Sequence, residues 1–293
     1  MRFNKLGYRA ALRAFAGGLV IAASIVGARA GLIEEGDKAL AAQNYERAMA
    51  LYRQAADKGD VWGQVNLGKM YENGSGVPQN QKLAASWYAK AADRGNDWAQ
   101  NSLGSLYENG TGVPKDVAKA AALYRKSAAK GNNWALYNLA RCQAEGIGMA
   151  ANASDSLKNY RKAAELGNSW AQYALAEKYA TGAGVAPSYP MAIGWYKKSA
   201  DQGNAWSQFK LGEYYAKGVG VVQSDATAAK YYKLSAEQGN HLAQASYGLA
   251  LETGKGLKRW NKKEAAHYYK LALANPGAPD WVKQRLAALG GAP

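Results

Sequence analysis

Gly95-Asn96-Asp97-Trp98-Ala99-Gln100 opens a stretch that runs on through Leu103-Gly104, Tyr107, Gly110-Thr111-Gly112-Val113-Pro114 and Asp116. It closes with Ala120-Ala121, Tyr124 and Ala128-Ala129-Lys130. The opening recurs as Gly59-Asp60-Val61-Trp62-Gly63-Gln64 before it. After it come Gly131-Asn132-Asn133-Trp134-Ala135, Gly167-Asn168-Ser169-Trp170-Ala171-Gln172, Gly203-Asn204-Ala205-Trp206-Ser207-Gln208 and Gly239-Asn240-His241-Leu242-Ala243-Gln244. The openings stand at 59, 95, 131, 167, 203 and 239, a constant step of 36 residues. A fixed period of that length marks a stacked array in which each unit is one supersecondary element.

Each unit reads as two helices. In the first, from Asn96 to Asn109, Ala99, Leu103, Gly104 and Tyr107 fall at helical spacing on one face. Asn96 is placed to cap the helix start by accepting a free backbone N–H. Gly110 and Gly112 end the helix, and Pro114 opposes its continuation. The second helix runs from about Asp116, another cap, to Lys130, and carries Ala120, Ala121, Tyr124, Ala128 and Ala129 inward. Alanine and glycine let the two helices approach closely, while tyrosine and leucine fill the layers between.

The pattern Ala-Gln-x-x-Leu-Gly-x-x-Tyr-x-x-Gly-x-Gly-Val-Pro-x-Asp, then Ala-Ala-x-x-Tyr-x-x-Ala-Ala, stands in full at Ala99 to Ala129 and nearly so at Gln64 to Ala92. It resembles the Sel1-like repeat family, relatives of tetratricopeptide repeats. The resemblance implies an all-α, right-handed α/α solenoid of six repeats: 59–94, 95–130, 131–166, 167–202, 203–238 and 239–274. The third loop, Gly146-Ile147-Gly148-Met149-Ala150, lacks the proline, and the fourth moves it to Pro187 and adds Pro190. Those two loops are expected to differ in shape while the register holds.

Residues 31–58 read as a shorter, tetratricopeptide-like cap, and 275–293 as a C-terminal cap in which Asp280 starts a last helix reaching about Leu289. Solenoid ends need such atypical units, because an inner repeat would leave its apolar face in water. Residues 1–30 have the form of an export signal: Arg2, Lys5, Arg9 and Arg13, an apolar run from Ala14 to Gly27, then Ala28-Arg29-Ala30. The apolar run is too short to span a bilayer. Cleavage near Ala30 is therefore expected, with no transmembrane anchor afterwards, and with a periplasmic or secreted destination.

The chain carries 37 basic and 22 acidic residues. Five of the basic ones precede Gly31 and none of the acidic ones do, so the remainder keeps a net charge of +10. That excess suits anionic partners such as acidic glycan, lipid headgroups or an acidic protein face, but it is spread through the repeats as a solvated surface would be. No nucleic-acid motif is present. Cys142 is the single cysteine, so no internal disulfide forms and the thiol reads as buried and inert.

No catalytic, cofactor or metal constellation emerges. His241 and His267 are the only histidines and lack companion ligands. The loop glycines lie between helices, without the strand and Lys-Ser/Thr of a phosphate cradle. Glu72 and Glu108 recur at one repeat position, yet nothing else supports acid–base work by them; a hydrolase is the remote alternative.

Trp62, Trp98, Trp134, Trp170 and Trp206 each stand three residues after the opening glycine. At about 100° per residue this position points away from the core tyrosine and leucine of the same helix. By alignment with tetratricopeptide repeats it lines the concave groove. Tyr137, Tyr173 and Phe209 follow on the same face, then Arg141, Glu177 and Glu213. In one reading the indoles close the seams between repeats; in the other they form an aromatic strip that binds. The resemblance implies a non-enzymatic, monomeric adaptor of the bacterial cell envelope, holding a protein or peptide partner in the groove. An anionic glycan or peptidoglycan is the alternative partner.

Overall fold

The computed structural model describes residues 31–290, so the export signal read at 1–30 lies outside it. Among the described residues all regular structure is helical. Helices α1 (31–41) and α2 (Tyr45–Asp57) form the first pair. The six repeats follow as α3 (Val61–Asn73) and α4 (Gln81–Asp93), α5 (Asp97–Asn109) and α6 (Val117–Ala129), α7 (Asn133–Glu145) and α8 (Ala153–Glu165), α9 (Ser169–Thr181) and α10 (Tyr189–Asp201), α11 (Ala205–Lys217) and α12 (Asp225–Glu237), α13 (His241–Thr253) and α14 (Lys262–Leu273). Helix α15 (Trp281–Ala288) is last. The chain separates into two compact bodies, one of residues up to Ala135 with Ile147–Met149, the other of Leu136–Gly146 with Ala150 onward.

Capping residues set the helix starts. The side chains of Asn96 and Asp116 accept the amides three residues on, Ala99 N at 2.8 Å and Lys119 N at 2.9 Å. Asn168, Asn204 and Asn240 repeat the first arrangement, and Asn80, Asn152 and Ser224 the second. Each such bond satisfies one of the amides that a helix start leaves without a partner. At the other end Gly110 takes φ +70°, a left-handed conformation that favours glycine.

The third and fourth loops do not differ in shape as their missing and shifted prolines suggest. Asn152 N donates to Gln143 O at 2.7 Å and Ser188 N to Tyr179 O at 2.8 Å, the same closure as Asp116 N to Tyr107 O at 2.8 Å. Two glycines at positive φ steer every one of these loops, and the proline only stiffens a path they already set. The loop that departs is the sixth, which closes one residue later, from Asn261 N to Leu251 O.

The buried tyrosines explain the Leu-Gly pairs. A methyl group on Gly104 would stand 2.8 Å from the Tyr124 ring, and one on Gly68 2.5 Å from the Tyr88 ring. The ring thus lies directly on the glycine of the partner helix, where an added methyl requires the ring to shift; the third and fourth repeats carry Ala140 and Ala176 at this position. The hydroxyl then reaches a carboxylate on that same helix. Tyr124 Oη donates to Glu108 at 2.8 Å, Tyr269 to Glu252 at 2.7 Å, Tyr52 to Asp37 at 2.7 Å, and Tyr88 to Glu72. Glu72 and Glu108 therefore terminate buried phenols, as buried polar groups require; the arrangement supplies no acid–base pair.

The Gln of the Trp-Ala-Gln motif is buried and joins one repeat to the next. Gln100 Nε2 donates to Ala92 O at 3.2 Å, Gln172 to Ala164 O at 3.0 Å and Gln208 to Ala200 O at 3.3 Å. Second-helix serines do the same within a repeat, with Ser127 Oγ on Asp97 O and Ser199 Oγ on Ser169 O, both at 2.7 Å. Cys142 is buried, as read. At the C-terminal end Val282 and Leu286 of α15 enter the core cluster of Tyr269 and Ala272. Asp280 does not cap α15 with its side chain. Its backbone is already helical, at φ −58° and ψ −33°, which turns the carboxylate away from the amides it would accept.

Candidate partner-binding face

Each ladder tryptophan is the second residue of its helix, and the two residues that follow, a small residue and a glutamine (Leu136 in the third repeat), turn inward. The indole is thereby left at the surface. On the N-terminal body Trp62 is 46% exposed, and Trp98 and Trp134 are close behind. On the C-terminal body Trp170 is 37% exposed and Trp206 is half-buried. Lys69 Nζ lies 4.5 Å from the Trp98 ring centre, a cation–π contact. Trp170 meets Tyr173 edge-on at 6.3 Å, and Trp206 meets His241 edge-on at 6.3 Å. The indoles thus touch their neighbours without being covered by them.

Phe209 is not part of this face. It is 7% exposed and packs 6.0 Å from the Tyr232 ring in the core. A phenyl ring has no polar atom to keep at the surface, whereas the half-buried Tyr173 at the equivalent position stays near the Glu177 carboxylate. Tyr137 is also half-buried, 5.9 Å from Tyr160, with Arg141 one turn along α7.

Beside Tyr173 the C-terminal body has a cavity of about 310 Å³ among α9, α10 and α11. Glu177, Lys210 and Glu213 line it together with Tyr189, Tyr196 and Tyr214. Lys210 Nζ stands 3.3 Å from Glu213 and 4.0 Å from Glu177, and Lys217 Nζ lies 3.4 Å from Glu213. Glu177 also accepts the Tyr196 hydroxyl. The structure thus brings Tyr173, Glu177 and Glu213 into one neighbourhood and adds Lys210 and three tyrosines that the sequence reading missed. The available signal was Glu at 177 and 213, where earlier repeats have Lys69, Ser105 and Arg141. Carboxylates, ammonium groups and phenols side by side suit a hydrogen-bonding, charge-balanced surface. Among the described residues no group of three or more His, Cys, Asp or Glu could hold a metal ion.

Burial, followed by the Glu177 charge and hydrogen bond, pushes the Tyr173 hydroxyl up to about 12, and the same causes raise Tyr196. A phenol whose folded pKa exceeds its unfolded value of about 10 adds stability that is complete below pH 10 and is lost as pH rises toward 12. The urea midpoint of the C-terminal body is expected to hold level up to about pH 9.5 and then fall. Tyr173→Phe should flatten that fall, as followed by circular dichroism.

Helix pairs at a constant period of 36 residues, joined in the six repeats by double-glycine loops and packed tyrosine on glycine or alanine, define an α/α repeat protein. The Sel1 repeat model matches seven segments, 28–60, 63–96, 99–132, 135–168, 171–204, 207–240 and 241–275, and the chain belongs to the Sel1 repeat family. The first match takes in the segment read above as a tetratricopeptide-like cap, so the family model counts seven repeats where the period alone gave six. A Sel1 repeat protein from Oxalobacter formigenes is 30% identical with a TM-score of 0.77, over 83% of this chain and 99% of that one. A protective antigen present in uropathogenic Escherichia coli strains, displaying an SLR fold, is 31% identical with a TM-score of 0.72. That alignment takes in 89% of this chain but only 56% of the antigen, so this chain spans little over half its length. An immunity protein from Pseudomonas aeruginosa is 25% identical with a TM-score of 0.52, over 74% of this chain and 86% of that one. No curated protein sequence matches the chain. Sel1 repeats are protein-interaction scaffolds as a type, and among the described residues no helix is long and apolar enough to cross a membrane.

Proposed function

We propose that the chain is a non-enzymatic adaptor of the bacterial cell envelope, exported by its first thirty residues, which binds a partner protein or peptide through the tryptophan face. The observation that carries this is the exposure of four of the five ladder indoles. The fold does not require tryptophan there, since Leu242 takes the position in the sixth repeat and packs partly buried against the core. Large rigid aromatics give contact area at small entropic cost and dominate binding hot spots. The charge-balanced cavity beside Tyr173 offers hydrogen bonds to peptide groups next to the Trp170 indole.

Trp134→Ala/Trp170→Ala, of verified helicity, is expected to lose a protein that the unaltered chain retains from envelope extract. With two hot-spot anchors gone, the affinity should fall by roughly thirty-fold or more. Equal retention by both forms would make the indoles seam packing and overturn the reading. Retention of wall fragments alone would assign the face to glycan. Export is checked separately: the chain recovered from the cell envelope should begin at Gly31, and an intact Met1 start would refute cleavage.

A further inference from the structure

The loop between α13 and α14 is unlike its five counterparts. Those five contain one basic residue, Lys115. This one holds Lys255, Lys258 and Arg259 and runs directly into Lys262 and Lys263. All five cations are exposed. Facing them are two carboxylates, Asp225 at 3.4 Å from Lys255, and Glu264, which pairs with the Asn261 amide at 2.9 Å. Lys262 and Lys263 occupy the first turn of α14, where the helix dipole disfavours positive charge. Fold stability therefore does not account for their placement.

The loop also changes its apolar residue. In the first and fifth repeats the residue just before the cap of the second helix serves the fold: Gln79 Nε2 donates to Glu72 O at 2.7 Å, and Gln223 Nε2 to Ala216 O at 3.0 Å. Trp260 stands at that position here, 64% exposed, the most exposed tryptophan among the described residues. Lys262 Nζ lies 5.6 Å from its ring. The base of the loop is pinned, because Gly256, at φ +77°, sits so close to the Asp225 carbonyl that a methyl group would be 2.1 Å from it. Three residues before Asp225, Val222 on the adjoining loop is 88% exposed.

The geometry points to an anionic phospholipid bilayer surface as the partner of this loop edge, with Trp260 and Val222 entering the headgroup layer and the five cations neutralising lipid phosphates around them. Tryptophan prefers the membrane–water interface, and each Lys or Arg near an anionic leaflet strengthens binding about fivefold. A bilayer explains Val222 as well as Trp260, since an exposed valine has no stacking or hydrogen-bonding use toward a glycan. The edge is separate from the tryptophan ladder, so Trp134→Ala/Trp170→Ala should bind vesicles unchanged.

The test is co-sedimentation of the purified protein with phosphatidylcholine vesicles, with and without phosphatidylglycerol, the readout being the difference between the two. Binding is expected to favour the anionic vesicles and to fall with added salt. It should weaken about twenty-five-fold in Lys258→Ala/Arg259→Ala and remain in the charge-matched control Lys126→Ala/Lys162→Ala. Brominated lipid should quench the unaltered chain more than Trp260→Phe. Equal binding to neutral and anionic vesicles, or loop variants that bind like the parent, would overturn the inference. Loop-dependent retention on heparin without vesicle binding would overturn it in favour of an anionic glycan.

Discussion

Gly112→Ala is expected to destabilise the N-terminal body by about 3 kcal/mol, combining about 1–2 for a left-handed alanine with the cost of a backbone clash. Gly112 has φ +72°, and a methyl group there would stand 2.3 Å from the carbonyl oxygen of Gln81, the first residue of α4. Main-chain atoms at a helix start have no rotamer through which to give way, so the loop must lift off the preceding repeat. Gly131→Ala separates the two causes. Its φ is +86° but nothing lies within 4 Å of the added methyl, so it should cost only about 1 kcal/mol. Urea titration of the two variants should show this ordering, and equal losses would mean that backbone strain alone acts at both sites.

Tyr124→Ala is expected to cost about 4 kcal/mol, as large-to-small changes at buried aromatics do. The ring is buried on Gly104 and its hydroxyl donates to Glu108, so truncation opens a cavity and strips a partner from the carboxylate together. Tyr124→Phe keeps the packing and should lose about 1 kcal/mol, the scale of one hydrogen bond. Gly104→Ala, which drives a methyl to 2.8 Å from the ring, is partly relieved when combined with a smaller residue at 124. A double-mutant cycle by thermal melting would show that coupling, and strict additivity would deny the ring-on-glycine contact.

What was legible in the chain is what depends on neighbours along it. Caps such as Asn96 and Asp116 act three residues away, and positive-φ glycines act on their own backbone, so the period and the helix ends inside the repeats could be read directly. Partnerships between helices were not legible in this way. The roles of Gln100 and Glu108 depend on which atoms of the adjoining helix lie opposite, and helical spacing gives direction around an axis, not depth. Phe209 failed for that reason: it shares an angular position with Tyr173 but, lacking a hydroxyl, sinks beside Tyr232. The candidate face was legible as a row of tryptophans, whereas the cavity beside it needed Lys210 and Tyr196 from two further positions that only the packing brings near. The prolines misled in the opposite direction, because they are conspicuous in the sequence and secondary to the glycines in the loop.

The joints between repeats are built from nearly interchangeable parts. Gln208 Nε2 donates to Ala200 O of the repeat before it and Gln244 Nε2 to Ala236 O, both at 3.3 Å. Within the fourth and fifth repeats the last residue braces the same glutamine, Gln202 Nε2 reaching Gln172 Oε1 at 2.8 Å and Gln238 Nε2 reaching Gln208 Oε1 at 2.7 Å, and Gln202 and Gln238 both precede Gly-Asn. Excising residues 203–238 would bring Gln202 directly before Gly239-Asn240 and restore the same junction, with Gln244 offered to Ala200 where Gln208 had been. Length in this protein is therefore a quantity that heredity can add or remove in whole layers, without a new interface having to be invented each time.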